Sequence, residues 1–253
     1  MHESLTIGIP AFNEQDNIER AVTEALATAT RAAPDHEVLV VDDASTDGTA
    51  KRLAELARRH PRLRVIRHER NGGIVSSLKT LCREASKDLV FLNASDGQWP
   101  MDEVFPMLEA LRTIPCDLVI GNRADKQYTP WRKAISSSFR ILTEALYGVK
   151  VWDPGSIKLM RRPVARIETT CTGVFEQAER IIRAHALGFR VAKVDVRHNA
   201  RTSGLARGAS WRNIFSGLGE CLRFRISFRA GRRGGQDGRP ADSGAGGTAP
   251  PGH

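Results

Sequence analysis

Short apolar runs alternate with amphipathic segments along the first half of the chain. The runs are rich in Val, Leu and Ile and lie at residues 5–10, 37–41, 63–66, 88–92 and 117–121. Each run ends in polar residues and is followed by helical spacing, as in residues 47–61. Continuous apolar strands between amphipathic helices are typical of parallel strands buried on both faces. The pattern therefore predicts an α/β fold with a mostly parallel, doubly wound sheet and flanking helices.

The sequence predicts where the helices begin and end less clearly than it predicts the strands. Asp16 and Glu19 have the spacing of a capping box ahead of a helix that runs to about residue 31. After residue 124 the pattern loosens, and it predicts helices at about 135–147 and 175–187. Two strand-like segments, at 156–162 and 190–198, are expected to pack beside the sheet and to close the acceptor side of the site.

Composition places the chain among globular proteins, since 41% of its 253 residues are hydrophobic and 26% are charged. The four cysteines lack CxxC spacing, which favours neither a zinc site nor a disulfide framework and is typical of a reducing cytoplasm. The first ten residues do not resemble a signal peptide, and no apolar run approaches the roughly 18 residues of a membrane span. We therefore expect a cytoplasmic protein that is not integral to a membrane.

The formal charge of +9 is concentrated near the C-terminus, where residues 197–233 contain nine arginines and a single acid, Glu220. Such a patch suits phosphates of nucleic acid, anionic lipid or a pyrophosphate-bearing substrate, although it is also compatible with a solvated surface. No nucleic-acid-binding motif accompanies it, so we expect no nucleic-acid partner.

A basic amphipathic helix is predicted within this patch, at residues 208–229. Its apolar positions at helical spacing are Trp211, Ile214, Phe215, Leu218 and Leu222. A helix of this kind binds an anionic membrane surface; the alternative is a helix docked on the catalytic domain through the same stripe. From residue 230 to residue 253, 8 Gly and 3 Pro predict a disordered tail.

Polar residues follow each of the first five predicted strands. They are Asn13 and Glu14, Asp42 and Asp43, Asn71 and Gly73, Asp96 and Gln98, and Arg123. The carboxyl ends of parallel strands lie at one edge of a sheet, where such folds bind their ligands. Each residue alone could be a helix cap or a turn residue, but the set together predicts a binding site.

Seven motifs in order resemble family 2 glycosyltransferases, most of all the branch of dolichyl-phosphate mannose synthase. The motifs are IPAFNEQDNI, VDDASTDGT, RNGG, SDGQWP, IGNR, DPGSIKLMRR and RHNARTSG, and they cover residues 4–206. The resemblance implies a GT-A nucleotide-diphospho-sugar transferase fold over residues 1–207. It also implies that Mg²⁺ or Mn²⁺ assists an inverting transfer of a hexose from a nucleotide diphosphate sugar, such as UDP- or GDP-hexose. The acceptor would be a polyprenyl phosphate at the inner face of the membrane.

The resemblance also implies roles for individual residues. Asp96 and Gln98 match the metal-binding end of a DADGQ segment whose first Asp is Ala94 here. Arg123 and Arg201 would contact phosphates, although Ala206 stands where a Ser is usual on the Arg201 loop. Pro10, Phe12, Glu14, Asp43 and Asn71 would bind the nucleotide sugar, with Glu14 on the ribose and Asp43 on the base; of Asp42 and Asp43, only one is expected to face the ligand.

Three questions stay open at this point. Glu176 and Glu179 are either a general base with its support, as a soluble hydroxyl acceptor would require, or the polar edge of a helix, which is favoured. His198 either orients substrate or makes a structural hydrogen bond. Ala94 and Ala206 leave room for a protein that binds nucleotide sugars and has lost catalysis.

Overall fold

A computed structural model describes residues 3–123, 130–199 and 211–234. Within its helices, the side chains of residues 130–136, 211–215, 227 and 229–234 lie outside the description.

One seven-stranded sheet forms the centre of the described structure. Its strands are β1 (Leu5–Ala11), β2 (His36–Asp42), β3 (Leu63–Arg67), β4 (Leu89–Leu92), β5 (Leu118–Arg123), β6 (Lys158–Arg161) and β7 (Val191–Val196). They follow the order β3-β2-β1-β4-β6-β5-β7. Only β6 runs antiparallel to its neighbours, β4 and β5, while the other adjacent pairs are parallel. The predicted α/β fold with a mostly parallel sheet is confirmed.

Helices cover both faces of this sheet. They are α1 (Ile18–Ala32), α2 (Thr49–Arg59), α3 (Gly73–Glu84), α4 (Val104–Thr113), α5 (Pro130–Tyr147), α6 (Arg162–Ala165), α7 (Glu176–Ala186) and α8 (Trp211–Gly234), with a 3₁₀ turn at Met101–Glu103. The apolar faces of α1, α2 and α4 contribute to one hydrophobic cluster. Those of α3, α5, α6, α7 and α8 contribute to a second cluster on the opposite face. The inner strands β1, β2, β4, β5 and β6 are mostly buried, which explains their continuous apolar runs, whereas the edge strands β3 and β7 are partly exposed.

Three sequence predictions about these elements are wrong. The segments at 156–162 and 190–198 do not pack beside the sheet, because β6 inserts between β4 and β5, and β7 extends the edge beyond β5. The capping box does not form: α1 begins at Ile18 after Asn17, with no side-chain cap. Helix α5 begins at Pro130, five residues before the expected start.

Helix α8 packs on the domain that contains the sheet, and only Leu218 and Leu222 of its predicted apolar stripe have described side chains. Cys221 and Phe224 are buried, whereas Leu222 and Ile226 are 54% and 74% exposed. The hydroxyl of Tyr147 in α5 donates to the carbonyl oxygen of Cys221 at 2.5 Å. The helix continues to Gly234, beyond the predicted end at residue 229, and the rest of the predicted disordered tail lies outside the described residues.

Glu220, the one acid of the basic segment, fixes α8 to the start of α7. Its carboxylate accepts hydrogen bonds from the backbone N–H groups of Thr172 at 3.1 Å, Gly173 at 2.7 Å and Phe175 at 3.3 Å. A carboxylate at a helix N-terminus satisfies backbone donors and complements the helix dipole. In the described part of the chain, α8 is therefore a docked helix, which is the alternative to a free membrane-binding helix.

Candidate active site

The carboxyl edge of the sheet collects the predicted site residues, because six of the seven strands point the same way. Side chains tie the loops of this edge together. The hydroxyl of Ser45 after β2 accepts from the backbone N–H of Asn13 after β1 at 3.0 Å. The hydroxyl of Ser95 after β4 donates to the carbonyl oxygen of Pro10 in β1 at 3.3 Å. These bonds hold three loops in one fixed arrangement.

Backbone strain accumulates at the same edge. Among the described residues, three other than glycine have positive φ, Asn13 at 55°, Ala44 at 59° and Trp152 at 43°, and all three lie in loops of this edge. Such conformations cost about 1–3 kcal/mol each and persist where the surrounding structure enforces them. Such clustering is typical of functional sites, which supports the predicted location of the site at this edge.

The loop after β4 presents Asp96 and Gln98. Asp96 is buried, and its Oδ1 accepts from the backbone N–H of Gln98 at 3.1 Å. Between them Gly97 has φ +71°, and a Cβ at that position would lie 2.5 Å from Nη2 of Arg20. The buried amide of Asn93 donates to the carbonyl oxygen of Trp99 at 3.3 Å and closes the base of the loop. A carboxylate and an amide oxygen two residues apart are thereby fixed on a tight turn.

Such a donor set fits Mg²⁺ or Mn²⁺ that is shared with a substrate. Hard cations prefer oxygen ligands, and Mg²⁺ is commonly held by one or two protein groups together with substrate phosphates. Among the described residues, no three His, Cys, Asp or Glu side chains converge as a complete metal cage. Asp96 and Gln98 can therefore supply part of a coordination shell, and diphosphate oxygens and water would complete it.

The two adjacent aspartates after β2 differ in their surroundings. Asp43 accepts from the backbone N–H groups of Gly72 at 3.0 Å and Gly73 at 2.7 Å, and it lies 2.7 Å from Nδ1 of His68. It therefore holds the RNGG loop at the start of α3.

Asp42 has one carboxylate oxygen engaged and one without a hydrogen bond. Oδ1 accepts from the backbone N–H of Ser45 at 3.0 Å, while the buried Oδ2 has no hydrogen-bond partner. Nη1 of the half-exposed Arg67 lies 3.4 Å from Oδ2. This arrangement makes Asp42, rather than Asp43, the better candidate to meet a nucleobase.

The other predicted nucleotide contacts lie around β1 and β3. Pro10, Phe12 and Glu14 are partly buried at the end of β1, and Asn71 is exposed ahead of α3. Oε2 of Glu14 accepts from the side-chain amide of Asn17 at 2.8 Å. The structure thus brings these residues to one edge, and their individual roles stay predictions.

Arg123, the last residue of β5, is held by a residue that sequence reasoning missed. Its Nε and Nη2 donate to the two carboxylate oxygens of Asp153 at 2.7 and 2.8 Å. Its guanidinium carbon lies 5.5 Å from the ring centroid of Trp99. Asp153 opens the DPGS turn before β6, and only the antiparallel insertion of β6 brings it to this edge, so no local sequence signal revealed the pair.

His198 lies beside this ion pair, and its ring packs edge to face with that of Trp99, with 4.5 Å between the ring centroids. Burial and the cation of Arg123 lower the pKa of His198, so its imidazole is neutral at neutral pH. The backbone N–H of Asn199 donates to the carbonyl oxygen of Gln98 at 2.8 Å. The segment before Arg201 is thereby attached to the Asp96 loop. Arg201 and Ala206 themselves lie outside the described residues.

Glu176 and Glu179 are not a polar helix edge, contrary to the favoured interpretation, because both are fully buried. Glu176 accepts from Thr169 at 2.8 Å and from Arg180 at 2.9 Å. Glu179 accepts from the backbone N–H groups of Thr170 and Cys171 and from Arg183. Carboxylates enclosed by protein donors are structural, and this geometry disfavours them as a general base.

Comparison with known proteins identifies the family to which this architecture belongs. The model of the glycosyl transferase family 2 matches residues 6–175. The chain belongs to glycosyltransferase family 2. The recognition of this family from its motifs is confirmed.

Two curated proteins that are similar to this chain are transferases whose names contain a polyprenyl phosphate. Dolichyl-phosphate beta-glucosyltransferase of Trichomonas vaginalis is 29% identical over 178 residues, which are 64% of this chain and 52% of the relative. Undecaprenyl-phosphate 4-deoxy-4-formamido-L-arabinose transferase of Edwardsiella ictaluri is 27% identical over 224 residues, 86% of this chain and 67% of the relative. The chain thus spans about half to two thirds of the length of these relatives.

Solved structures establish the GT-A fold. A mannosyltransferase from Pyrobaculum calidifontis in complex with GDP-Man and Mn²⁺ aligns with a TM-score of 0.62 at 21% identity, over 88% of this chain and 65% of the other. Glucosyl-3-phosphoglycerate synthase from Mycobacterium tuberculosis, in complex with Mn²⁺, UDP-glucose and phosphoglyceric acid, aligns with a TM-score of 0.63 at 22% identity, over 87% and 80%. Among the described residues of this chain, no helix is both long and apolar enough to span a membrane.

Proposed function

We propose that this glycosyltransferase moves a hexose, with inversion, from a nucleotide diphosphate sugar to a polyprenyl phosphate at the cytoplasmic surface of a membrane. The observation that carries the proposal is the meeting of the Asp96–Gln98 turn with the Arg123–Asp153 pair at one sheet edge. The names of the curated relatives, which are transferases onto dolichyl and undecaprenyl phosphate, support the choice of acceptor.

The donor would lie across the strand ends. Phe12 and Glu14 would flank the nucleoside, and the buried Oδ2 of Asp42, which has no hydrogen bond in the structure, would accept a hydrogen from the base. Asp43 would support that pocket indirectly, through the loop it holds.

The diphosphate would lie between the Asp96 turn and Arg123. A bound Mg²⁺ or Mn²⁺ would offset the negative charge that develops on the departing nucleotide. Asp96 and Gln98 would hold that ion, and Arg123, oriented by Asp153, would contact phosphate oxygens. Arg201, from the segment that follows Asn199, would add a second cation.

An acceptor phosphate suits this site because it already carries an anionic oxygen, so attack on the anomeric carbon needs alignment more than proton removal. A soluble hydroxyl acceptor would need a general base. Glu176 and Glu179, the two candidates from the sequence, are enclosed by protein donors. The structure thus offers that alternative no support at α7.

Membrane association would use the outer face of α8. Leu222 and Ile226 project from this face, and the exposed Arg223 lies between them. Apolar side chains beside arginine suit the boundary between acyl chains and anionic headgroups.

Nucleotide binding with and without metal tests the donor site. We expect the wild-type protein to bind at least one of UDP, GDP and dTDP more tightly with Mn²⁺ than with EDTA. Asp96→Ala should remove the Mn²⁺-dependent gain without changing the melting temperature, and Asp16→Ala, at an exposed position, is the control. Full metal-dependent binding and activity in Asp96→Ala would contradict the assignment; binding without turnover on any acceptor would favour a protein that has lost catalysis.

A further inference from the structure

A buried chain of polar side chains connects α7 to Arg123. Its central member is Lys158, the first residue of β6, which is almost completely buried. In the sheet it lies between Leu92 of β4 and Ile120 of β5. These two strands lead directly to the Asp96 turn and to Arg123. The family assignment does not explain a buried ammonium at this place.

Lys158 finds three acceptors for its three hydrogens. Its Nζ donates to the carbonyl oxygens of Pro154 at 2.5 Å and Ser156 at 3.0 Å, and to Oε1 of Gln177 at 2.7 Å. Two of these acceptors belong to the short turn that begins at Asp153. A buried charge persists when its hydrogen-bonding capacity is satisfied in this way.

The acceptor on α7 is itself held in place. Nε2 of Gln177 donates to Oε2 of Glu176 at 2.5 Å, which directs Oε1 of Gln177 toward Lys158. Glu176 is fixed in turn by Arg180, whose Nη1 donates to the carbonyl oxygens of Ala165 and Ile167 at 2.8 and 2.9 Å. The polar face of α7 is therefore a rigid support for the ammonium.

We infer that Lys158 is a positioning residue: by holding the carbonyl groups of the 153–156 turn, it places the carboxylate of Asp153 so that Arg123 faces the donor diphosphate. The inference rests on the proposed function only for the identity of the ligand. The connection from Lys158 to Asp153 and Arg123 is a property of the protein itself.

The position of Arg123 can be observed without any ligand. In ¹⁵N-labelled protein, the Nε–H signal of Arg123 is assigned by its loss in Arg123→Lys. We expect Lys158→Met, which keeps the length and removes the charge, to shift or broaden that signal, and Gln177→Leu to do so to a smaller extent. An unchanged Arg123 signal in a folded Lys158→Met protein would overturn the inference, whatever the ligand is.

A second experiment measures the binding of UDP, GDP or dTDP in the presence of Mn²⁺. We expect Lys158→Met and Arg123→Ala each to weaken binding about tenfold, and the double variant to be scarcely weaker than either, since residues in one network are not additive. If the losses of affinity in the two single variants add up in the double variant, Lys158 does not act through Arg123. If the wild type binds none of the probes, the proposed function fails, while the signal of Arg123 still decides the role of Lys158.

A pH series needs no variant that could fail to fold. Burial lowers the pKa of Lys158 to about 8, while Glu176 and Asp153 oppose that shift and Arg180 adds to it. A neutral amine has only two hydrogens for three acceptors, so wild-type affinity should fall between pH 7 and pH 9.

The other groups that face Lys158 change little in that range. Burial raises the pKa of Cys82, which stays a thiol. Burial acts to lower the pKa of Arg180, but the carboxylate of Glu176 opposes burial and the pKa is raised on balance. The fall should be absent in Lys158→Met, and an equal fall in both proteins would contradict the inference. Titration of Lys158 would not lower the affinity by unfolding the protein. Because the pKa of this lysine is lower in the folded state, its titration makes the folded state more stable as the pH rises from about 8.

Discussion

At the residue scale, adjacent residues of identical type have different tasks. Asp42 and Asp43 are both buried, yet Asp43 accepts two backbone hydrogen bonds from the RNGG loop and Asp42 keeps a buried oxygen without a hydrogen bond. The sequence predicts that one of the two faces the ligand, and the resemblance assigns that place to Asp43. The hydrogen bonds favour the opposite assignment, because the carboxylate of Asp43 is already engaged by His68, which follows β3, and by the backbone N–H groups of Gly72 and Gly73.

Exchange of each aspartate for asparagine separates the two roles. Asp43→Asn should lower the free energy of unfolding by about 1.5–3 kcal/mol, because charge-assisted hydrogen bonds of a buried carboxylate are lost. Asp42→Asn should leave stability nearly unchanged and weaken nucleotide binding at least about tenfold, the equivalent of about 1.4 kcal/mol. Denaturant titrations and calorimetric binding measure both effects, and a reversed pattern would restore Asp43 as the contact to the base.

The sequence identifies site residues that directly follow strands, such as Asp96 and Arg123, because parallel strands bring their carboxyl ends to one edge. It does not identify Asp153 or Lys158. Their place depends on the antiparallel insertion of β6 between β4 and β5, a pairing between segments far apart in the chain. Hydrophobic periodicity indicates a strand at 156–162 but carries no information about its neighbours.

At the element scale, α7 and α8 differ most from expectation. The spacing of Glu176 and Glu179 suggested a solvated helix edge, but the 167–175 loop covers that face. Side chains donate to Glu176, among them Thr169 of this loop, and backbone N–H groups of the loop donate to Glu179. In α8, Leu222 continues the apolar pattern of the sequence, while the buried stripe passes through Cys221 and Phe224. Helical spacing defines a face, but the direction of that face depends on contacts with other elements.

Glu179 should contribute to stability in a pH-dependent way. Burial alone would raise its pKa, but hydrogen bonds from Thr170, Cys171 and Arg183 outweigh burial and lower it. Its stabilising effect is therefore present above the ordinary value of 4.5 and is lost as the pH falls through the lower folded-state value.

We expect Glu179→Gln to cost about 2 kcal/mol at pH 7, since buried donors lose a charged acceptor. The cost should shrink in acid, where the wild-type carboxylate is protonated as well. Urea unfolding at pH 7 and below pH 4 measures the difference, and Glu109→Gln, on the exposed side of α4, is the control. A cost that is independent of pH would show that the charge of Glu179 contributes nothing.

The two faces of α8 should respond differently to substitution. Phe224→Ala should destabilise the protein by about 3–5 kcal/mol, because it empties part of an aromatic cluster with Tyr147 and Phe175. Leu222→Ser with Ile226→Ser should leave stability unchanged and reduce co-flotation with anionic vesicles. Undiminished flotation of the double variant would exclude this outer face as the membrane contact.

At the scale of the whole molecule, the proposed function divides the chain into a GT-A domain that would bind the donor at the sheet edge and a docked basic helix that would contact anionic lipid. The docking has two anchors, since Glu220 accepts hydrogen bonds from the backbone just before α7 and Tyr147 donates to the backbone of α8. Binding of a lipid-linked acceptor would therefore occur on the same rigid body that holds the donor. The apolar runs and the family motifs made the mostly parallel sheet and the family predictable from the sequence, while the donor site and the membrane contact stay predictions.

The most direct test is transfer of label from UDP-, GDP- and dTDP-hexoses to a polyprenyl phosphate in detergent, with Mn²⁺ or Mg²⁺ and with EDTA as control. We predict label in the organic phase from at least one donor, only in the presence of metal, and none with Asp96→Ala. Nucleotide release or binding without any label in the organic phase, from every donor, would contradict the lipid acceptor.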